Sequence, residues 1–250
     1  MDKYGLIGYP LSHSFSMEYF NDKFKSEFIN AKYVNFEISN IKEIKNIIDS
    51  EPQLKGLNVT IPYKERVIPY LDKLSENAKL IGAVNVIKIE RSRRGKIRLT
   101  GFNSDIIGFK ESIAPLLFPR HKSALILGTG GAAKAVYFGL KQLGLTAVYV
   151  SRKKSDENFL TYEELTPEIM DQHKLIVNCT PVGMYPDVDA YPPIPYEHVT
   201  NRHFLYDLLY NPQETMFMKL GKKQGATTKN GLEMLLLQAF AGWQFWNPNV

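Results

Sequence analysis

The chain has 250 residues, of which 44% are hydrophobic, so it can bury the core of one large domain or of two ordinary ones. No apolar run approaches the about 18 residues of a membrane span, and the N-terminal residues contain no signal-peptide core, so we expect a cytoplasmic protein without a membrane partner. The single cysteine excludes an internal disulfide, and the five histidines lack metal-ligand spacing, so we expect no metal site.

The net charge of +5 and the pI near 9.0 raise the question of nucleic-acid binding. Part of the excess lies in the basic run 91–98, which surrounds Gly95 between two strand-like segments and so resembles the tip of a hairpin. A solvated turn explains this run, and an anionic small substrate or a phosphate-bearing cofactor suits the remaining charge. We therefore expect no nucleic-acid partner.

Strand-like and helix-like segments alternate along the chain. Hydrophobic periodicity predicts strands at 3–8, 33–38 and 56–60, and helices at 16–28, 41–48 and 106–117. This alternation predicts parallel sheets covered by helices, an α/β fold.

The segment NVTIPYK, residues 58–64, combines a strand with polar side chains. Asn58 and Thr60 point to one face because side chains alternate along a strand. Pro62 is expected to start a helix that presents Lys64. The segment indicates either a polar pocket or an ordinary edge strand followed by a helix.

A glycine-rich turn follows the predicted strand at 124–127. Gly128, Gly130 and Gly131 precede a helical pattern, and Ala133 stands at the third glycine position of the usual fingerprint. Such a turn lets backbone approach a pyrophosphate at the positive end of a helix, which predicts dinucleotide binding.

The next predicted strand, at 147–150, ends without the acid that binds ribose in NAD proteins. Ser151 and Arg152 follow instead, with Lys153 and Lys154. A guanidinium can bind a 2′-phosphate through two hydrogen bonds, so the sequence favours NADP(H) over NAD(H), although a solvated turn would also explain the lysines.

Polar residues in apolar surroundings are further candidates. A buried amide at Asn85 would cost about 1 to 3 kcal/mol without partners. Gln238 lies in an apolar helix predicted at 232–243, whose main stripe is formed by Leu232, Leu235, Leu236, Ala239, Phe240 and Trp243. Both amides contact either the protein or a ligand. Ser14, Ser16 and Asp105 precede helices and are either caps or ligand contacts.

Seven motifs occur in the order found in shikimate dehydrogenases, which this chain resembles over nearly its whole length: GYPLSHSFS, NVTIPYK, GAVN, FNSD, GTGGAAKAV, NCTPVGM and NGLEMLLLQ. The resemblance implies reversible NADPH-dependent reduction of 3-dehydroshikimate to shikimate, in aromatic amino-acid (chorismate) biosynthesis. It also implies an N-terminal α/β substrate domain (1–105), a Rossmann-like NADP-binding domain (106–230) and a C-terminal helix (231–250) that returns to the first domain.

The resemblance also assigns roles to individual residues. Lys64 and Asp105 resemble the catalytic pair, expected to share one crevice, and the motifs leave open which of them transfers the proton. The expected substrate contacts are Ser14, Ser16, Thr60, Asn85, Tyr210 and Gln238. The expected cofactor contacts are Gly128, Gly130, Gly131, Ala132, Ser151, Arg152, Asn178, Thr180, Met184 and Gly231.

Two stretches depart from the family pattern. The family usually continues the first serine motif with a proline and ends it in His-Asn, whereas this chain has Met17 to Asn21; and Ser151 replaces an asparagine. The alternatives are a quinate/shikimate dehydrogenase that prefers NAD, or a regulator that binds these ligands without turnover. The sequence leaves open whether the protein is a monomer or a homodimer.

Overall fold

The computed structural model describes residues 1–11, 15–154 and 158–248. The chain forms two compact units, residues 1–104 together with the segment from residue 239 (unit 1), and residues 105–238 (unit 2). Each unit contains its own sheet with helices, which confirms the predicted α/β class.

Unit 1 begins with a β-α-β pattern and continues through a hairpin. Its elements are β1 (Asp2–Gly8), α1 (Phe15–Ser26), β2 (Ala31–Glu37), a 3-10 turn (Ile41–Glu43), α2 (Ile44–Ser50), β3 (Leu54–Val59), a 3-10 turn (Ile68–Tyr70), β4 (Lys73–Leu74), α3 (Glu76–Ile81), β5 (Val86–Arg91) and β6 (Ile97–Phe102). Within the described residues they form a six-stranded sheet in the order β2-β1-β3-β5-β6-β4.

The first sheet is mixed, not parallel as we expected. Strand β5 runs antiparallel to both β3 and β6, whereas β1, β2 and β3 are mutually parallel. The reason is the predicted hairpin itself: the turn at Gly95, with φ +78°, joins β5 to β6 and so reverses the chain between them.

Unit 2 has the alternating pattern throughout. Its elements are α4 (Asp105–Ile113), a 3-10 turn (Ala114–Leu116), β7 (Ser123–Leu127), α5 (Gly131–Gln142), β8 (Thr146–Ser151), β9 (Phe159–Thr161), a 3-10 turn (Tyr162–Glu164), α6 (Pro167–Gln172), β10 (Leu175–Asn178), a 3-10 turn (Tyr196–His198), β11 (Phe204–Asp207), α7 (Met216–Lys223), β12 (Thr227–Lys229) and the first part of α8 (Leu232–Trp246), whose residues from 239 onward belong to unit 1.

The second sheet is parallel in every pairing among the described residues, in the order β9-β8-β7-β10-β11-β12. Numbered along the chain from β7, this is the order 3-2-1-4-5-6 of the doubly wound dinucleotide-binding fold. The order reverses between β7 and β10, and ligands of such sheets bind at the carboxyl ends of the strands beside this point.

The core of unit 1 covers both faces of its sheet. One face packs against α2 through residues that include Leu57, Val59 and Ile44. The other face packs against α1 and the end of α8, in an aromatic cluster of Tyr4, Leu6, Phe20, Phe24, Tyr33, Val86, Ala239, Trp243 and Trp246. Helix α8 therefore ends within unit 1.

One local prediction was wrong, and a second, the packed stripe of α8, was correct only in part. No α-helix starts at Pro62: residues 61–67 form separate turns, closed by Tyr63 N donating to Thr60 O and Val67 N donating to Tyr63 O. In α8, Leu232, Leu236 and Phe240 are exposed, whereas Ala239 and Trp243 are buried. A helix that is apolar on every side gives no periodic signal to identify the packed face.

Among the described residues, no helix has the length and apolar character that crossing a bilayer requires.

Candidate functional site

The first group of predicted site residues lies at one edge of the sheet in unit 1. The carboxyl ends of β1, β3 and β6 and the start of β5 meet there. Thr60 follows β3, and Asn85 precedes β5 and accepts a hydrogen bond from Val59 N at 2.9 Å. Lys64 joins the same edge because its carbonyl oxygen accepts a bond from Val84 N at 2.7 Å. The sheet thus gathers three predicted residues that are up to 25 positions apart in the chain.

Asn85 is buried, and the protein satisfies its amide. Its Nδ2 donates to Ser104 Oγ at 2.9 Å, and its Oδ1 accepts from Ser104 N at 2.7 Å. The hydrogen-bonding groups of the buried Asn85 amide are thus satisfied by the protein itself, without a ligand. The same bonds fix the direction of the side chain.

One of the two predicted serines lies at the start of α1. Ser16 is in the first helical turn and half-buried, whereas Ser14 lies outside the described residues. Asp105 is the first residue of α4 and is buried.

Asn58 is a connecting residue that the predicted site did not include. It is buried, its Oδ1 accepts from Tyr33 Oη at 2.7 Å, and its Nδ2 donates to Asn85 O at 3.2 Å. The sequence carried a signal for it, since Asn58 shares a strand face with Thr60.

The glycine turn of unit 2 has the geometry of a phosphate cradle. Gly128 has φ +102°, which favours glycine, and its N–H donates to Val150 O at 2.9 Å. Gly130 caps α5 without a side-chain hydrogen bond, and a Cβ placed there would meet no atom within 4 Å. Gly131 and Ala132 form the first helical turn. The N–H groups of this turn are thus accessible to an anion.

Strand β8 brings the predicted phosphate-binding residues beside this turn. Val150 pairs with Leu127, so Ser151 at the end of β8 and Arg152 after it lie beside Gly128, which follows β7. Arg152 is exposed. The Ser151 hydroxyl bonds to the backbone of Lys153, and Lys154 pairs with Glu164 at 3.0 Å. An open backbone turn with an exposed guanidinium nearby fits a dinucleotide that carries a further phosphate.

At the ends of β10 and β11, the predicted Asn178 and Thr180 belong to a network with Asp207, which sequence reasoning missed. Asn178 Nδ2 donates to Asp207 Oδ1 at 3.0 Å, and Asn178 Oδ1 accepts from Thr180 Oγ1 at 2.6 Å. Asp207 also accepts from Thr215 Oγ1 at 2.6 Å and Leu209 N at 3.0 Å. Burial raises the pKa of Asp207 to about 6, although these three hydrogen bonds oppose the rise.

The remaining predicted residues lie on the loops after β10, β11 and β12 and on α8. Met184 and Tyr210 are exposed. Gly231 is required sterically, since a Cβ there would lie 2.0 Å from Leu208 O. Gln238 is half-buried, and its Nε2 donates to Leu235 O at 3.0 Å within its own helix.

The described part of the chain contains no cluster of His, Cys, Asp and Glu side chains that could hold a metal ion.

Comparison with known proteins identifies the family. A family model described as the shikimate dehydrogenase substrate binding domain matches residues 6–87. The NADP⁺-dependent shikimate dehydrogenase of Methanococcus vannielii is 37% identical over 262 residues, which cover 97% of this chain and 90% of the relative. That of Clostridium beijerinckii is 41% identical over 258 residues, which cover 98% and 92%.

The structural comparison agrees. The crystal structure of shikimate 5-dehydrogenase from Thermus thermophilus, in complex with NADP(H) and shikimate, matches with a TM-score of 0.85 at 28% identity, covering 100% of this chain and 95% of the other. Sequence and fold agree along the whole chain, which therefore belongs to the shikimate dehydrogenase family.

Proposed function

We propose that this chain catalyses the reversible NADPH-dependent reduction of 3-dehydroshikimate to shikimate, a step of chorismate and aromatic amino-acid biosynthesis. The observation that carries the proposal is the meeting of Thr60, Lys64 and Asn85 at one edge of the sheet in unit 1, in a chain of this family. The site in unit 1 offers hydroxyl, ammonium and amide groups, which are the partners that a small polyhydroxylated carboxylate needs.

Unit 1 is the proposed substrate domain. The hydroxyls of Ser14, Ser16 and Thr60 bind the substrate carboxylate, and Asn85, Tyr210 and Gln238 contact the substrate with them. Supporting this, Asn85 is held in one direction by Ser104, so its amide is preorganised.

Unit 2 is the proposed cofactor domain. The turn from Gly128 to Ala132 binds the pyrophosphate through the N–H groups at the start of α5, and Ser151 and Arg152 bind the 2′-phosphate. Asn178, Thr180, Met184 and Gly231 are assigned to the nicotinamide half. Bound NADPH supplies the hydride.

The catalytic side chains act on the carbonyl oxygen of 3-dehydroshikimate. That oxygen gains negative charge as the carbonyl carbon is reduced, so the protein must supply a proton or a cation there. Lys64 can do either. Asp105 can orient the ammonium group and accept a hydrogen bond from a neighbouring substrate hydroxyl. In the reverse direction the same groups accept the proton.

The test is an absorbance assay of NADPH formation with purified protein, shikimate and NADP⁺. We expect turnover with shikimate and NADP⁺ and much slower turnover with quinate or with NAD⁺. Equal rates with NAD⁺ would identify the NAD-preferring alternative, and shikimate binding without any turnover would identify a sensor.

The oligomeric state, monomer or homodimer, and the cytoplasmic location belong to the same proposal. The single cysteine, Cys179, supports a reducing compartment, since the chain has no partner for an internal disulfide.

A further inference from the structure

Asp207 is a buried carboxyl group close to the point where the strand order of the second sheet reverses. It ends β11, and Asn178, its partner in register, ends the neighbouring strand β10. The side chain of Asp207 is 0% exposed, so it acts on a ligand only through the residues that it binds. Those residues lie on the loops that carry several of the predicted cofactor contacts.

The hydrogen bonds from Asp207 to the loop after β10 have a definite direction. Asn178 Oδ1 is the acceptor for the backbone N–H of Thr180 at 3.1 Å, because a backbone N–H can only donate. The amide nitrogen of Asn178 therefore donates to Asp207 Oδ1, at 3.0 Å. The Thr180 hydroxyl donates to Asn178 Oδ1 at 2.6 Å and accepts from Val182 N at 3.3 Å. A continuous chain of bonds thus runs from the carboxylate into the loop.

The same loop packs against the glycine turn. A Cβ at Gly128 would lie 3.1 Å from Thr180 Cγ2 and 3.3 Å from the carbonyl oxygen of Cys179. Further along, Met184 N donates to Pro181 O at 3.1 Å and closes a turn. The position of the loop therefore determines where Thr180 and Met184 lie relative to the turn that we propose to bind pyrophosphate.

Asp207 also fixes the loop that follows its own strand. Its Oδ1 accepts from Leu209 N at 3.0 Å, and its Oδ2 accepts from Thr215 Oγ1 at 2.6 Å. Leu209 O in turn accepts from Gly231 N at 2.9 Å, and Thr215 is the N-cap of α7. One carboxylate thus joins the loop after β10, the loop after β11 and the start of α7.

We propose that Asp207 is a positioning residue for the nicotinamide half of the cofactor: its carboxylate holds the Asn178 amide, and through it the loop with Thr180 and Met184, against the glycine turn. This inference rests on the proposed function, because it takes Thr180 and Met184 as contacts of the nicotinamide half. The 2′-phosphate of the adenosine half is assigned to the end of β8, which has no bond to Asp207 in the network described above.

The test compares the complete cofactor with a fragment that lacks nicotinamide. For Asp207→Ala we expect the Kd of NADP⁺, measured by titration calorimetry, to rise about five- to tenfold, within the range of one hydrogen bond. The Kd of adenosine 2′,5′-bisphosphate, which has the 2′-phosphate but no nicotinamide, should change less than about twofold. Because burial raises the pKa of Asp207 to about 6, the titrations are made at pH about 8, where the carboxyl is ionised.

Steady-state kinetics supplies a second readout. NADP⁺ and NAD⁺ carry the same nicotinamide, so Asp207→Ala should lower kcat/KM for both cofactors by the same factor. A change at the 2′-phosphate site would instead affect NADP⁺ alone.

Asp207→Asn is the conservative variant. Its amide oxygen can still accept from Asn178 Nδ2 and Leu209 N, and its amide nitrogen can donate to Thr215 Oγ1. We therefore expect a Kd of NADP⁺ within about threefold of the wild-type value. A loss as large as that of Asp207→Ala would show that these hydrogen bonds are not what positions the loop, and would overturn the inference.

Tyr206→Phe is the matched control for the loss of a buried hydrogen bond. Tyr206 precedes Asp207 on β11, is also 0% exposed, and its hydroxyl lies 2.7 Å from Ser112 Oγ. Adjacent side chains of a strand point to opposite faces, so this bond lies outside the network of Asp207. We expect this variant to bind NADP⁺ as the wild type does.

Denaturation curves identify a temperature at which all variants are folded, and the titrations are made there. If Asp207→Ala does not fold, Asp207→Ser replaces it, because a serine hydroxyl is too short to bond to both loops, and the same rise in the Kd of NADP⁺ is expected.

Two results would overturn the inference while leaving the proposed function intact. One is an unchanged Kd of NADP⁺ in Asp207→Ala, and the other is an equal loss of affinity for NADP⁺ and for the fragment, which would mean that Asp207 supports the whole domain. A wild-type protein that binds NADP⁺ without oxidising shikimate would overturn the proposed function, whereas the titrations would still decide the inference. A wild-type protein that does not bind NADP⁺ would overturn both.

Discussion

Asn85 and Ser104 hold each other through two hydrogen bonds, with Asn85 Nδ2 to Ser104 Oγ at 2.9 Å and Ser104 N to Asn85 Oδ1 at 2.7 Å. The pair joins the start of β5 to the segment that follows β6. Both residues are buried away from water. The two bonds therefore provide hydrogen-bond partners for the Asn85 amide and for the hydroxyl and backbone N–H of Ser104.

Asn85→Ala should therefore lower the free energy of unfolding by about 1 to 3 kcal/mol without any ligand, because it removes the two buried hydrogen bonds to Ser104. Chemical denaturation of the ligand-free protein measures this. The exposed Asn201→Ala is a control that should change stability by less than about 0.5 kcal/mol. Unaltered stability of Asn85→Ala would mean that the residue serves the ligand alone.

Lys64→Ala should reduce kcat for shikimate oxidation by at least about a hundredfold, the lower range for a general acid-base group, with a smaller change in substrate affinity. Steady-state kinetics gives both quantities. Lys55→Ala is the matched control, since Lys55 is an exposed lysine of the same unit and should be dispensable. Near-normal turnover of Lys64→Ala would remove Lys64 from the mechanism.

Arg152→Ala should raise the KM for NADP⁺ by at least about tenfold and leave that for NAD⁺ nearly unchanged, because only NADP⁺ carries the 2′-phosphate and a charge-assisted bond is worth about 1.5 to 3 kcal/mol. Steady-state kinetics of wild type and variant, with NADP⁺ and with NAD⁺, measures both KM values. Lys141→Ala, at the far end of α5, should affect neither KM. Equal losses with the two cofactors would contradict the proposed role.

The carboxyl of Asp207 should make stability depend on pH between about 4 and about 6. Its pKa of about 6 in the folded state lies above the about 3.9 of an unfolded aspartate, so the folded state binds more protons in this window. The free energy of unfolding therefore falls as pH rises from about 4 to about 6, by about 3 kcal/mol in total, and the loss is complete above that range.

Denaturation of the wild type and of Asp207→Asn across this range measures the effect. The stability of the wild type relative to the variant should fall with rising pH, because the asparagine does not titrate. A difference between the two proteins that stays constant from pH about 4 to about 7 would show that Asp207 does not titrate in this window.

The sequence by itself determined the fold class, the glycine turn and the family. Gly128 and the helix after it were recognisable because a phosphate-binding turn is built from consecutive residues, so local spacing carries the whole signal. The hairpin at Gly95 was recognisable for the same reason.

Only the tertiary structure decided what joins distant segments. The antiparallel direction of β5 beside β3, the network of Asp207 with Asn178, and the hydrogen bond of Tyr33 to Asn58 each depend on strand order and register. The packed face of α8 is a further case, since an apolar surface on every side of a helix specifies no partner. Such contacts join residues that are far apart in the chain. No short stretch of sequence therefore contains a pattern that predicts them.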